Sequence, residues 1–158
     1  MDDKRELLRH TLATLAYRGG KAVRGAPAEF ATFKVSETSR TPAAILAHIG
    51  DLMMWGRSMA DGSKQWNSSE PLPWTEEVAR FFECMAGFES YLASSAALQS
   101  PAEKLFQGPI ADALTHVGQL TLLRRAFGSP VRGENYFKAE ITAGRVGDEQ
   151  AKPRAEFD

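Results

Sequence analysis

The sequence predicts an all-α fold, a four-helix bundle, on three observations. Apolar residues recur at spacings of three and four in four separate stretches, the period of one helix face. No run of alternating residues between tight turns is long enough to build a sheet, and no internal repeat at a fixed period is visible. The chain has 158 residues, the size of one compact domain able to bury a core without disulfide or metal staples. Residues 1–158 therefore read as a single domain, with an end from about residue 145 that packs loosely.

The first helix runs from about Asp3 to Gly19, with Leu7, Leu8, Leu12, Leu15 and Ala16 on one face and Asp2 and Asp3 suited to its N-terminus. Gly19-Gly20 and then Gly25-Ala26-Pro27 read as its stop, and Ala28 to Arg40 as a connection with a short extended piece from Phe30 to Val35. Thr41 caps the second helix and Pro42 fills its first turn, where a missing N–H costs nothing. Its stripe is Ile45, His48, Ile49, Leu52, Trp55 and Met59, ended by Asp61-Gly62. Asp61 to Pro73 is polar and reads as a loop. At about 3.3 Å per extended residue it can cross a whole helix, which leaves two topologies open: up-down-up-down, or helices two and three parallel.

Thr75-Glu76-Glu77 opens the third helix with acids in its first turn, followed by Val78, Phe81, Phe82, Met85, Phe88 and Leu92. Ser100-Pro101-Ala102-Glu103 has the pattern of a capping box and introduces a short turn that Gly108-Pro109 interrupts. The fourth long helix spans about Pro109 to Phe127, with Asp112, His116, Leu120, Leu123 and Phe127 down one side and Gly128 and Pro130 as its stop. Beyond it, the aromatic pair Tyr136-Phe137 is expected to pack on the bundle and the charged end to fray.

Lys plus Arg number 19 against 20 Asp plus Glu, a formal net charge of −1, so nothing in the charge balance favours nucleic acid. The single cysteine, Cys84, permits no internal disulfide and suits a reducing, cytoplasmic setting. The charged start, Met1-Asp2-Asp3-Lys4-Arg5-Glu6, lacks the apolar core of a signal peptide, and no stretch approaches the run of about 18 apolar residues a membrane span needs. The expectation is a soluble protein with neither nucleic-acid nor membrane partners.

Two of the three histidines lie on apolar stripes. His48 falls between Ile45 and Leu52 on the second helix, and His116 holds the corresponding place on the fourth. Asp112, four residues before His116, stands about 40° around the axis and about 6 Å along it. A carboxylate on an inward face needs a partner, and no Lys or Arg stands one turn away on that stripe. A metal ion held by His48, Asp112 and His116, with open positions, supplies one. Two plainer readings stand beside it: hydrogen-bonded core histidines, and an Asp112 that only complements a helix N-terminus. Asp51 reads either as an orienting partner of His48 or as a solvated surface acid. His10 flanks its stripe and reads as surface, while Cys84, beside Phe81 and Met85, reads as a small buried hydrophobe. Trp55, Trp66 and Trp74 either line a pocket mouth or fill core.

No paired Glu-x-x-His, phosphate-binding glycine loop or Gly-x-Ser-x-Gly elbow occurs. Ala47-His48-Ile49-Gly50-Asp51, with Asp112-Ala113-Leu114-Thr115-His116-Val117-Gly118-Gln119-Leu120 running into Leu123-Arg124-Arg125-Ala126-Phe127-Gly128-Ser129-Pro130, resembles the DinB/YfiT-like superfamily of metalloenzymes over residues 1–130. In that family the second motif is usually His-x-x-x-His followed by Gly-Gln and an apolar residue. This chain matches it at His116 and at Gly118-Gln119-Leu120, and carries Asp112 where the first His would stand. Asp for His keeps a ligand oxygen but changes reach and charge.

The resemblance implies a bundle with helices two and three parallel through a crossover loop, a divalent ion that is usually zinc or nickel, and a homodimer. The large apolar side chains of helix three add to the expectation of a dimer. Three functions follow as expectations: a metal-dependent transferase joining a low-molecular-weight thiol to an electrophile, as characterised relatives do; a metal-assisted hydrolase; and a non-catalytic, stress-related dimeric module with a degenerate site.

Overall fold

The computed structural model describes residues 2–157, and they are mostly helical. Four long helices carry the fold: α1 (Asp3–Val23), α2 (Pro42–Asp61), α3 (Trp74–Ala93) and, after the single turn α4 (Ala102–Leu105), α5 (Ala111–Phe127). The only strands among the described residues are β1 (Gly133–Glu134) and β2 (Glu156–Phe157), an antiparallel pair two residues long. The all-α class holds. No helix among the described residues is long and apolar enough to cross a membrane.

Contacts between side chains fix the helix directions. Gly50 of α2 faces Cys84 of α3 and Gly56 faces Phe88, so both positions advance together and the two helices run parallel. Arg5 of α1 reaches the Leu92 carbonyl while Gly19 faces Phe81, so α1 and α3 are antiparallel. His48 of α2 meets Asp112, whereas Gly56, two turns further on, meets Pro109, so α2 opposes α5. The order around the bundle is α1, α3, α2, α5. Of the two topologies that loop length left open, the structure has the one in which residues 62–73 cross from one end of α2 back to the other.

Phe30, Leu46, Ile49, Phe81, Met85 and Phe88 lie fully buried at the centre. Each contributes about 1.5–3 kcal/mol by leaving water. The apolar side chains of α3 are thus used inside the bundle, which removes them as a reason to expect a dimer. The predicted ends of α2 hold: Thr41 Oγ1 accepts from the Ala44 N–H at 3.2 Å, Pro42 opens the helix, and Gly62 closes it at φ 86°. Gly128, at φ 91°, closes α5 as expected.

Four elements differ from the sequence reading. α1 continues through Gly19-Gly20 to Val23, because those glycines admit α3: a Cβ on Gly19 would stand 2.7 Å from the Phe81 ring. The expected extended piece from Phe30 to Val35 is instead a 3₁₀ turn over Ala28–Thr32 that drops Phe30 into the core. The capping box does not form, since Ser100 Oγ donates to the Met59 carbonyl, at 2.8 Å, and leaves Pro101 to precede α4 without a side-chain cap. Finally, Gly108-Pro109 does not interrupt the short turn that precedes the last helix. A π-helical turn, Phe106–Ile110, absorbs Pro109, and helical backbone runs on from α4 into α5.

The C-terminal segment returns to the bundle. Glu134 is buried and accepts from Tyr17 Oη at 2.7 Å and Lys21 Nζ at 2.8 Å, while Tyr136 packs edge-on to Tyr17. Phe137, its neighbour, points into solvent at 98 % exposure, so only half of the aromatic pair packs as expected.

Candidate metal centre

The antiparallel contact between α2 and α5 sets His48 opposite His116, with ring centroids 4.7 Å apart. Asp112 Oδ2 stands 3.6 Å from His48 Nε2 and its Oδ1 3.5 Å from His116 Nδ1. One donor atom from each of the three residues lies within 4.8 Å of the others. Ligands of a single ion at about 2.0–2.1 Å are at most about 4.2 Å apart, a spacing close to the 4.8 Å that encloses the three donor atoms. Two imidazoles and a carboxylate are a donor set that divalent zinc or nickel accepts.

The backbone orients one of the two histidines. His116 Nδ1 lies 2.8 Å from the main-chain carbonyl oxygen of Asp112, one turn back on the same helix. A carbonyl only accepts, so Nδ1 carries the hydrogen and the Nε2 lone pair is left for a metal. His48 is prepared electrostatically. Burial, the neighbouring His116 and the Arg40 charge hold its pKa below the ordinary 6.5, against the opposing pull of Asp112. Neutral imidazole, the form that binds metal, is therefore the state of His48 at neutral pH.

Asp112 differs from the sequence reading in two respects. Its side chain is 46 % exposed, so it needs no partner to offset burial and stands at the rim of the site, open to water. It is not at a free helix start either: Ile110 and Ala111 are already helical, and the Ala111 N–H bonds back into the π turn. The reading of Asp112 as a complement to a helix N-terminus loses its basis, and the geometry toward the two histidines remains.

Asp51 is neither an orienting partner of His48 nor a surface acid. It is buried and accepts from the Ser69 backbone N–H at 2.8 Å and from Ser69 Oγ at 2.6 Å, fastening the crossing loop to α2. The loop carries Trp66 edge-on to His48, at 5.9 Å between ring centroids, and to Trp55, also at 5.9 Å. Trp74 is core, packed against Phe30. The three tryptophans thus divide, two beside the site and one inside. The sequence reading offers Trp66 as a pocket-mouth or core residue without linking it to His48, the ring it meets here. His10 is exposed, as expected. Cys84, partly buried on α3, has its thiol pushed up to about 11 by burial, so it stays protonated and inert.

Fold and site together define an all-α bundle carrying a His-Asp-His cluster between two antiparallel helices. Comparison of the chain with protein-family models, with curated proteins and with solved structures gives no match.

Proposed function

We propose that this chain is a metal-dependent enzyme of the DinB-like class, in which His48, Asp112 and His116 hold one divalent ion, zinc or nickel. The observation that carries the reading is the convergence of three ligand-capable atoms from two helices on one half-open spot, with the His116 tautomer set by a main-chain carbonyl. The parallel course of α2 and α3 supports it, being the bundle topology that the sequence resemblance implies.

The reaction is transfer of a low-molecular-weight thiol to a small electrophile: an S–C bond forms, the bond from carbon to its leaving group breaks, and the thiol proton departs with that group. A divalent ion there supplies the acidity that keeps a thiol as thiolate at neutral pH. Transfer is favoured over hydrolysis because hydrolysis needs a nearby general base, and Asp51, the acid closest in sequence to His48, is committed to Ser69. The protein's own Cys84 takes no part. A homodimer belongs to the same reading and rests on the resemblance alone.

Elemental analysis of the purified protein, followed by calorimetric titration of the metal-free form, tests the centre. About one equivalent of zinc or nickel per chain is expected. No binding by either metal would return the three residues to a hydrogen-bonded cluster, the signature of a non-catalytic module. Thiol consumption against several electrophiles, with and without metal, then tests the reaction.

A further inference from the structure

We propose that Trp66 and Trp55 form the substrate wall of the His48–Asp112–His116 centre, and that the substrate carries a flat aromatic group beside its metal-binding head. The proposal rests on the metal reading above and adds the class of molecule the site selects.

A polar connection of this length has no need of an ordered path, yet this one is pinned to α2 at two places. Ser58, buried, accepts from the Gln65 N–H at 3.0 Å, and its one hydroxyl hydrogen is shared between the Trp55 carbonyl at 2.8 Å and the Gln65 carbonyl at 2.9 Å, while its own carbonyl accepts from the Lys64 N–H. Asp51, buried, takes both bonds from Ser69. Only residues 66–68 lie between the pins, so Trp66 is held in place rather than left to swing. The pins flank Trp55, four residues after Asp51 and three before Ser58 on the same helix.

What they hold is a large side chain half in water. Trp66 is 49 % exposed, although core positions are filled elsewhere by Trp74 and Phe30. Its indole N–H donates to Ser68 Oγ within the loop at 3.2 Å, which satisfies its polar edge locally. Its ring meets His48 at an interplanar angle of 68° and Trp55 at 86°. Trp55 in turn lies against Gly108 of the π turn, four residues before Asp112. The two indoles therefore make a continuous aromatic surface from the imidazole of one ligand to the turn that precedes another. A fixed aromatic surface loses little freedom on binding and favours ligands that present a ring to it, edge-on or offset.

The plain alternative is that Trp66 only shields His48 from water. The two are separated with zinc-loaded protein and a pair of probes sharing one metal-binding head, benzohydroxamate and acetohydroxamate. Zinc content is measured first on wild type, Trp66→Ala and Trp66→Phe, and circular dichroism melts check each fold. The expectation is that all three hold zinc equally. Wild type prefers the benzo compound by about tenfold more than free zinc does, Trp66→Phe keeps most of that preference, and Trp66→Ala loses it. Quenching of indole fluorescence by benzohydroxamate, present in wild type and diminished in Trp66→Phe, reports the contact without the Ala variant. A preference absent in wild type or unchanged in Trp66→Ala overturns the proposal and leaves the metal centre standing. Wild type that takes up no zinc overturns both, and the prior metal measurement tells the two failures apart.

Discussion

The orientation of His116 is set before any ligand arrives, because its Nδ1–H is occupied by the Asp112 carbonyl on the same helix. His48 lacks such a tether and depends on its surroundings, which depress its pKa below 6.5. The sign of the resulting pH dependence follows directly. An imidazole that binds its proton less tightly in the native state contributes stability that is present above pH 6.5 and lost as pH falls through its lower native value. The metal-free wild type should therefore lose urea resistance below about pH 6.5, and His48→Gln should lose less over the same range; parallel curves would place His48 in an ordinary solvated setting. Asp112 supports a sharper expectation. As a ligand its removal in Asp112→Ala lowers zinc affinity at least about tenfold, while Asp112→His keeps or raises it. Stability should barely change, since the side chain is half exposed and no helix start is left to complement. Calorimetric titration reads both variants, and unchanged affinity in Asp112→Ala removes this residue from the site.

Helix faces were legible in the sequence because their apolar spacing is local, and the boundaries set by one residue's own conformation were legible too: Thr41, Gly62 and Gly128 stand where they were expected. What escaped were positions whose meaning lies in another helix. Gly19-Gly20 reads as a stop until Phe81 is seen against it, and Ser100 reads as a cap until the Met59 carbonyl claims it. Glycines inside helices separate the two cases experimentally. Gly56 of α2 is buried, and a Cβ there would meet the Phe88 ring at 2.7 Å and Pro109 at 3.1 Å. Ala at this position gains about 1 kcal/mol of helix propensity and meets an overpacking cost of about 1–3 kcal/mol, so Gly56→Ala should destabilise by about 1 kcal/mol. Gly118 of α5 has nothing within 4 Å of its missing Cβ, and Gly118→Ala should stabilise by about 0.5–1 kcal/mol. Urea unfolding of both variants checks the pair, and the opposite signs are the test. The π turn belongs at this scale as well. Pro109 signals a break, but one widened turn accommodates its ring and carries the helix on to Asp112.

At the scale of the whole molecule, the site exists because α2 and α5 are antiparallel neighbours, and the loop over residues 62–73 can pass beside it because α2 and α3 are parallel. The two histidines were legible as inward positions, each on its own stripe. Asp51 and Trp66 were not, since a loop's path leaves no periodic trace and both act through it. The C-terminal segment was legible only as aromatic and then charged; its anchor, Glu134, is one acid among many in the sequence, and its role follows from what it meets on α1. Lys21 is nearly buried and its carboxylate partner wholly so. Burial alone pulls the Lys21 ammonium down, but its bonds to Glu134 and Glu156 outweigh that and hold its pKa above 10.5. This stability is present below pH 10.5 and lost as pH rises through the higher native value. Glu134→Ala leaves Lys21 with Glu156 alone, at 3.3 Å, and strips the Tyr17 hydroxyl of its acceptor. Breaking a buried pair from one side costs about 3–5 kcal/mol, and the remaining Glu156 places this loss near the lower figure. Because β1 and β2 pair through Glu134 and Glu156, the loss should release the whole returning segment. Limited trypsin digestion should then cut first at Lys138, Arg145 and Arg154 in the variant, with the four helices protected. Equal cleavage in wild type and Glu134→Ala would mean that the segment is held by its strand pairing and Tyr136 instead.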